Sequence, residues 1–151
     1  MDRIEELMGR LLSPDNAAAC GAAGELAAES ARSDAAYAHM DTFLAMLSGR
    51  SSLVRNRAAA LIAANARWDT GGRIDAALED ILAHITDEKP ITARQFIKAL
   101  PEIAAYKPAL CARLQAALAA ADFSAYAESM RPLLEADRCA ALRKIAAQAQ
   151  R

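Results

Sequence analysis

The chain has few of the residues that mark the common functional classes. Aromatic residues make up only 5% of its 151 residues, and its three cysteines are odd in number, widely spaced and without a C-x-x-C pair. This pattern predicts neither a zinc site nor a disulfide framework. The formal net charge of -1 also lacks the basic surplus that general nucleic-acid binding or an anionic membrane surface requires.

Targeting segments and catalytic motifs are equally scarce. The first residues, "MDRIEELMGRLL", are acidic and amphipathic, unlike a signal peptide. No apolar run approaches the ~18 residues of a membrane span, and no phosphate loop, dinucleotide fingerprint or nucleophile elbow occurs. We therefore expect a cytoplasmic, non-enzymatic protein with no catalytic residues, no cofactor and no metal site.

Alanine is abundant and accounts for about a quarter of the chain. Because alanine is the strongest helix former and strand formers are few, the composition predicts an all-α protein whose helices approach closely over small side chains. Gly21 and Gly24 lie inside a helical stretch, so we expect them where another backbone comes near. Cys20, Cys111 and Cys139 are expected to be small buried residues.

Hydrophobic periodicity predicts eight helical segments. Ser13, Ser33 and Ser129 stand where helix N-caps are expected. Pro101 falls well inside the sixth segment and predicts a kink there, because proline removes one backbone hydrogen bond and clashes with the preceding turn.

A turn pattern recurs three times, in "LLSPDNAAAC", "MLSGRSSLVR" and "HITDEKPITAR". Each copy ends one helix on an apolar residue, makes a polar turn and begins a second helix. Leu12, Leu47 and Ile85 occupy the same place in the three copies. A helical pair repeated at this spacing indicates an α-solenoid, in which stacked pairs build a continuous core. The predicted chain is a single domain with units at about 1–32, 33–68 and 72–106 and a C-terminal helical cap at 107–151.

The pattern L-x-x-L-x-D/S…V-R…A…L resembles the HEAT repeat of the armadillo-like class. The matching residues are Leu44, Leu47, Ser48, Val54, Arg55, Ala58 and Leu61, then Ile81, Ile85, Asp87, Ala93, Arg94, Ile97 and Leu100. The first unit departs from the pattern, with Cys20 where arginine is expected. "IAANARWD" and "HITDEKPITARQFIKALPEI" are also similar to short bacterial HEAT-like proteins labelled "SufBD protein". The resemblance implies a right-handed α-α superhelix of three helical pairs plus the cap.

Charge is unevenly distributed along the chain. Four arginines and no acidic residue lie between positions 50 and 67, whereas the first helices of the pairs are acidic. Second helices line the concave side in HEAT-like stacks, so the resemblance implies a mildly basic face that could bind an acidic peptide or protein surface. The alternative is an ordinary solvated face. The candidate partner-binding residues are Asn56, Arg57, Arg67, Gln95 and Lys98. Arg55 and Arg94 are expected to pair structurally with turn acids or turn carbonyls.

Three other interpretations are open. Trp68 followed by Asp69 suggests a HEAT-like nucleic-acid-binding or DNA-repair module, although such a module needs a more basic surface. Trp68 could instead fill the gap between units or anchor an interface. Exposed apolar groups such as Met8 or Ile145 could also support a weak homodimer in place of a monomer.

Overall fold

The chain is all-α, as the composition predicts. The computed structural model describes residues 2–150, and helices account for 79% of these residues, with no strand among them. The α-helices are α1 Arg3–Leu11, α2 Asn16–Ser30, α3 Met40–Ala45, α4 Ser52–Asn65, α5 Arg73–Ala76, α6 Leu78–Ala83, α7 Pro90–Tyr106, α8 Cys111–Ala120 and α9 Arg131–Ala149. Short 3-10 helices extend or precede them at Ala35–His39, Met46–Ser48, Ala66–Trp68, His84–Thr86 and Pro108–Leu110.

The chain divides into two compact units between Gly71 and Gly72. Gly72 has a φ of 74°, a left-handed conformation that glycine adopts without the steric cost of a Cβ atom. The division falls within the segment "DTGG", between the second and third predicted helical pairs. The prediction of a single domain stays a prediction.

Each unit contains two antiparallel helical pairs. In the first unit, α1 packs on α2, and α3 with its flanking 3-10 turns packs on α4. In the second unit, α7 follows the segment of α5 and α6, and α9 follows α8. The region predicted as a cap therefore has the same two-helix form as the other pairs.

Within each unit the second helices of the two pairs run parallel. In the first unit, Arg57 near the start of α4 bonds to Asn16 at the start of α2. Trp68, after the end of α4, bonds to Ser30 at the end of α2. We call this contact between α2 and α4 the first seam.

The second unit repeats the arrangement with α7 and α9, whose contact we call the second seam. Arg94 pairs with Asp137 near the two helix starts, and Pro101 and Lys144 lie farther along, against the same cleft. The first helices are parallel too, because Lys107 binds Asp75 while Arg113, farther along, binds Glu79.

Large apolar side chains fill the interior of both units. In the first unit the fully buried ones include Leu7, Leu26, Met40, Phe43, Leu61 and Ile62; in the second they include Ile74, Ile81, Phe96, Ile97, Leu100 and Ile103. Buried alanines lie on both sides of the first seam: Ala19, Ala22, Ala58 and Ala59. This confirms the prediction that helices approach over small side chains.

The predicted role of two glycines is wrong. Gly21 and Gly24 lie on the exposed side of α2, and a Cβ atom added at either would meet nothing within 4 Å. Alanine rather than glycine provides the close approach, because the seam requires small side chains and no left-handed backbone.

The helix caps also differ from prediction. Asp15, not Ser13, caps α2, and its carboxylate accepts from the backbone N–H groups of Ala17 and Ala18 at 3.0 and 3.4 Å. Met130 occupies the N-cap position of α9, so Ser129 caps nothing there. Ser33 accepts weakly from the Ala35 N–H at 3.4 Å, ahead of a 3-10 turn. Cap residues next to one another compete, and the sequence alone does not rank them.

Two further predictions about exposure are wrong. Cys20 and Cys139 are exposed, and only Cys111 is buried. Met8 and Ile145, suggested as exposed groups for a dimer, are both buried in their own units. The alanine-rich helices α2 and α9, which carry Cys20, Cys139 and Ile145, have little amphipathic contrast, so their buried faces are hard to assign from the sequence.

Pro101 lies inside α7, as predicted, and the helix continues through it to Tyr106. Trp68 is half-buried, and its indole N–H donates to the Ser30 carbonyl at 2.8 Å. That contact joins two successive helical pairs, as the gap-filling interpretation predicts. Among residues 2–150, no helix is both long and apolar enough for a membrane crossing.

Candidate functional site

The predicted partner-binding residues fall in both units. Asn56, Arg57 and Arg67 belong to α4 and the 3-10 turn after it, in the first unit. Gln95 and Lys98 are exposed on α7, in the second. Asn56 and Arg67 are half-buried and Arg57 is buried, so these three are not a simple exposed basic face.

Arg67 takes part in the first seam. One of its guanidinium nitrogens donates to the Ala31 carbonyl at 3.3 Å, next to the bond between Trp68 and Ser30. The last carbonyls of a helix have no partner within it, and a nearby cation stabilises them. Arg67 and Trp68 therefore satisfy the C-terminal end of α2, and this geometry gives Arg67 a structural role.

Arg57 lies at the other end of the first seam, in a different electrostatic setting. Arg57 as a whole is only 9% exposed. Its Nη2 donates to the side-chain oxygen of Asn16 at 3.1 Å and, at 3.5 Å, to the Asn16 backbone carbonyl. Both acceptors are neutral. Within residues 2–150 no carboxylate forms an ion pair with Arg57.

Arg57 lies in the wall of an open pocket at the turn end of the first unit. The pocket, which we call the Arg57 pocket, has a volume of about 460 Å³ and is lined by Leu11, Leu12, Ser13, Pro14, Asn16, Met46, Ser51, Val54 and Arg57. Most of this lining is apolar, and Leu12 is 62% exposed at its edge. A cation in a mostly apolar, concave wall is a common arrangement for recognising one charged group of a ligand.

The two arginines of the repeat pattern differ in their partners. Arg55 donates to the turn carbonyls of Gly49 and Arg50 at 2.9 and 3.1 Å, as predicted. The expectation that Arg94 binds a turn acid or turn carbonyls is wrong: its Nε donates to Asp137 of α9 at 2.6 Å. The hydrogen bond that Arg94 donates to the Asp137 carboxylate raises the pKa of Arg94 above its ordinary value.

Asp87 lies in the turn before Arg94 and has other partners. One of its carboxylate oxygens lies 2.8 Å from Nδ1 of His84, and the other accepts from the Lys89 backbone N–H at 2.9 Å. His84 also stacks on Phe96, with 4.9 Å between ring centroids. Asp87 therefore bonds within its own turn, whereas Arg94 bonds to the neighbouring helix α9.

The chain matches no family model, no curated protein and no solved structure. The site therefore rests on the geometry of the chain itself.

Sequence reasoning identified Arg57 but missed the residues that make it a site. Leu12, Asn16 and Met46 come from three other segments of the first unit, and Val54 precedes Arg57 on α4. The spacing of the repeated helical pairs could have predicted the contact between Asn16 and Arg57. Stacking two pairs with parallel second helices brings the start of α2 against the start of α4, which puts Asn16 beside Arg57.

Proposed function

We propose that this chain is a non-catalytic protein-binding module that holds an acidic, partly apolar segment of a partner in the Arg57 pocket. One observation carries the proposal: a nearly buried guanidinium, bonded only to neutral oxygens, lies in the wall of an open apolar pocket. A carboxylate from the partner would supply the charge that the unit itself does not.

The energetics favour an anionic group at this position. A cation removed from water loses solvation, and neutral hydrogen bonds recover only part of that loss. Guanidinium–carboxylate hydrogen bonds are short, charge-assisted and about twice as strong as neutral ones. The apolar lining would meanwhile accept an aliphatic or aromatic side chain next to the acid on the partner.

Exposed aliphatic residues support a protein as the ligand. Four of the five large hydrophobic side chains that are exposed among residues 2–150 lie at or just before the start of a second helix: Leu12, Leu53, Ile91 and Leu133. In the first unit, Leu12 lines the Arg57 pocket, and Leu53 precedes the lining residue Val54 on α4. Exposed apolar side chains beside a cation suit a partner surface that pairs acidic with apolar residues.

We further propose that the helical pairs stack as in a HEAT-like right-handed superhelix. The parallel second helices of each unit and the parallel first helices of the second unit support this proposal, as does the turn arginine Arg55. HEAT-like stacks present extended surfaces to partners, which is an analogy of fold. Three free cysteines suit a reducing compartment, so we place the module in the cytoplasm. Gln95 and Lys98 stay predicted contacts of the second unit.

A selection from random displayed peptides tests the proposed ligand class. We expect enriched peptides to contain aspartate or glutamate next to a large apolar residue. Calorimetry on one enriched peptide should then show that Arg57→Gln weakens binding by at least about tenfold, or about 1.4 kcal/mol. Replacing the peptide's acid with its amide should produce a similar loss, and that loss should shrink in Arg57→Gln.

Two further variants accompany the experiment: the first is a control, and the second tests the apolar edge of the pocket. Arg50→Gln removes the same charge from an exposed arginine outside the pocket, and it should change the affinity by less than about twofold, since rim charges contribute little. Leu12→Ala trims an exposed side chain at the pocket edge, so it should weaken binding without affecting folding. Enriched peptides without acids, equal binding to Arg57→Gln, or tight salt-sensitive binding of duplex DNA instead would each contradict the proposal.

A further inference from the structure

A second concave site lies in the second unit, along the seam between α7 and α9. It has a volume of about 230 Å³ and is lined by Lys98, Pro101, Asp137, Ala140, Ala141 and Lys144. The two alanines leave the space that larger side chains would fill. We call this site the dilysine cleft.

The charges around the cleft do not balance. Asp137 is the one acidic residue in its lining among positions 2–150, and that carboxylate already accepts from Nε and Nη2 of Arg94 at 2.6 and 3.4 Å. Neither Lys98 nor Lys144 forms an ion pair within the described part of the chain. The Arg94–Asp137 pair is neutral as a unit, so the two ammonium groups leave the cleft with a net positive charge.

We propose that the dilysine cleft binds a small phosphate-bearing anion. Two like charges on one small cavity repel each other, and a single anion between them relieves that repulsion while attracting both. A phosphate monoester carries about -1.5 to -2 charge near neutral pH, which matches two ammonium groups. The volume is below the range of about 300–1,000 Å³ typical of pockets for drug-sized ligands, so the anion is small.

The phosphate binds through side chains alone in this arrangement. Lysine acts as a mobile point charge toward phosphate and needs no fixed bidentate geometry. The Arg94–Asp137 pair holds α7 against α9 and keeps the two lysines on facing helices. The cleft does not include the Arg57 pocket, so this inference stands independently of the proposed function.

Titration with sodium phosphate at constant ionic strength tests the proposal, followed by the backbone amide NMR signals of Ala140 and Ala141. We expect saturable shifts confined to the cleft. Lys98→Gln and Lys144→Gln should each raise the dissociation constant by about tenfold, the effect of losing about 1.4 kcal/mol. Arg143→Gln removes a charge from the same helix but outside the cleft, and it should change the constant by less than about twofold.

Two further titrants identify the source of the phosphate. Glycerol 3-phosphate binding more tightly than inorganic phosphate would assign the cleft to an organic phosphate ester, and the reverse would assign it to free phosphate. Shifts that do not saturate, equal loss of affinity in Arg143→Gln and the lysine variants, or tighter binding of succinate would overturn the proposal. Arg57→Gln should bind phosphate normally, so failure here and failure of the proposed function are separable.

Discussion

Each of the two seams has an arginine near the helix starts, but the two arginines donate to different kinds of acceptor. In the second seam, Arg94 of α7 binds the carboxylate of Asp137 on α9 at 2.6 Å. In the first seam, Arg57 of α4 binds only the amide and carbonyl oxygens of Asn16 on α2. Arg57 is less exposed than Arg94, yet it is Arg57 that has no carboxylate partner.

This difference separates a structural contact from a candidate binding site. A charge pair between helices is complete in itself, and breaking it leaves a partly buried charge alone. A guanidinium on neutral acceptors keeps capacity for an anion from outside. The two arginines lie on opposite helices of their seams: Arg57 is on the later helix and Arg94 on the earlier one. Arg94 therefore makes a structural contact, whereas Arg57 is the candidate binding residue.

The cores of the two units should respond alike, since the difference lies in the seams. Phe43 and Phe96 are each fully buried, and Phe→Ala substitutions in cores cost about 3–5 kcal/mol. We expect Phe43→Ala and Phe96→Ala each to lower the free energy of unfolding by about that amount, as measured by urea denaturation. A loss below about 1 kcal/mol in either variant would show that its unit is much less tightly packed than the structure indicates.

The seams should respond differently. Asp137→Asn removes the charge from the acceptor of Arg94, and we expect a loss of about 1.5–3 kcal/mol, the value of a hydrogen bond to a charged group. Glu135→Gln is the matched control, because Glu135 lies on the same helix and binds Arg138 in a more exposed pair. Exposed pairs contribute about 0–1 kcal/mol. Equal losses in the two variants would contradict the structural role of the second seam.

A tyrosine provides a pH-dependent contrast in the second unit. The hydroxyl of Tyr126 donates to the Asp87 backbone carbonyl, and burial, followed by the charge of Asp87, raises the pKa of Tyr126 above its ordinary value of about 10. Below pH 10 the folded and unfolded states are both protonated there, and the stabilisation is complete. Above pH 10 the unfolded state ionises first, so the contribution is lost as the pH rises toward the folded-state pKa.

Tyr126→Phe should therefore cost about 1 kcal/mol near pH 8, the value of a typical hydrogen bond, and progressively less above pH 10. Urea unfolding at several pH values checks this. Tyr106→Phe makes the same exchange at an exposed tyrosine, and its cost near pH 8 should be smaller than that of Tyr126→Phe. A difference between wild type and Tyr126→Phe that stays constant from about pH 8 to 11 would contradict this account.

Local patterns predicted the helical content, the repeated turns and the carbonyl-bound Arg55, because each depends on residues close in sequence. They did not predict Asp137 as the partner of Arg94 or Asn16 as the partner of Arg57, separated by 43 and 41 positions. Those contacts depend on how one helical pair is stacked on the next. The exposure of Cys20 and the burial of Met8 were missed for a related reason, since packing between pairs selects the buried face.

The smallest change in stability is expected from Asn16→Asp, which would give Arg57 a carboxylate acceptor like the one that Arg94 has in the second seam. Asn16→Asp places a carboxylate 3.1 Å from the guanidinium of Arg57, where the amide oxygen now lies, and in the first turn of α2, where a negative charge is favoured. Asn16 is exposed, so we expect a gain of only about 0.5 kcal/mol in unfolding free energy. Urea denaturation with duplicate curves measures it.

The same substitution should have a larger effect on binding. An internal carboxylate competes with the partner's acid for Arg57, so Asn16→Asp should weaken an acidic peptide by about tenfold, or about 1.4 kcal/mol. Asn16→Ala removes the same anchoring oxygen without adding charge, and it should keep the affinity within about threefold. If the two variants bound the peptide equally, the charge of Arg57 would not contribute to binding. The difference between the two seams would then affect only stability.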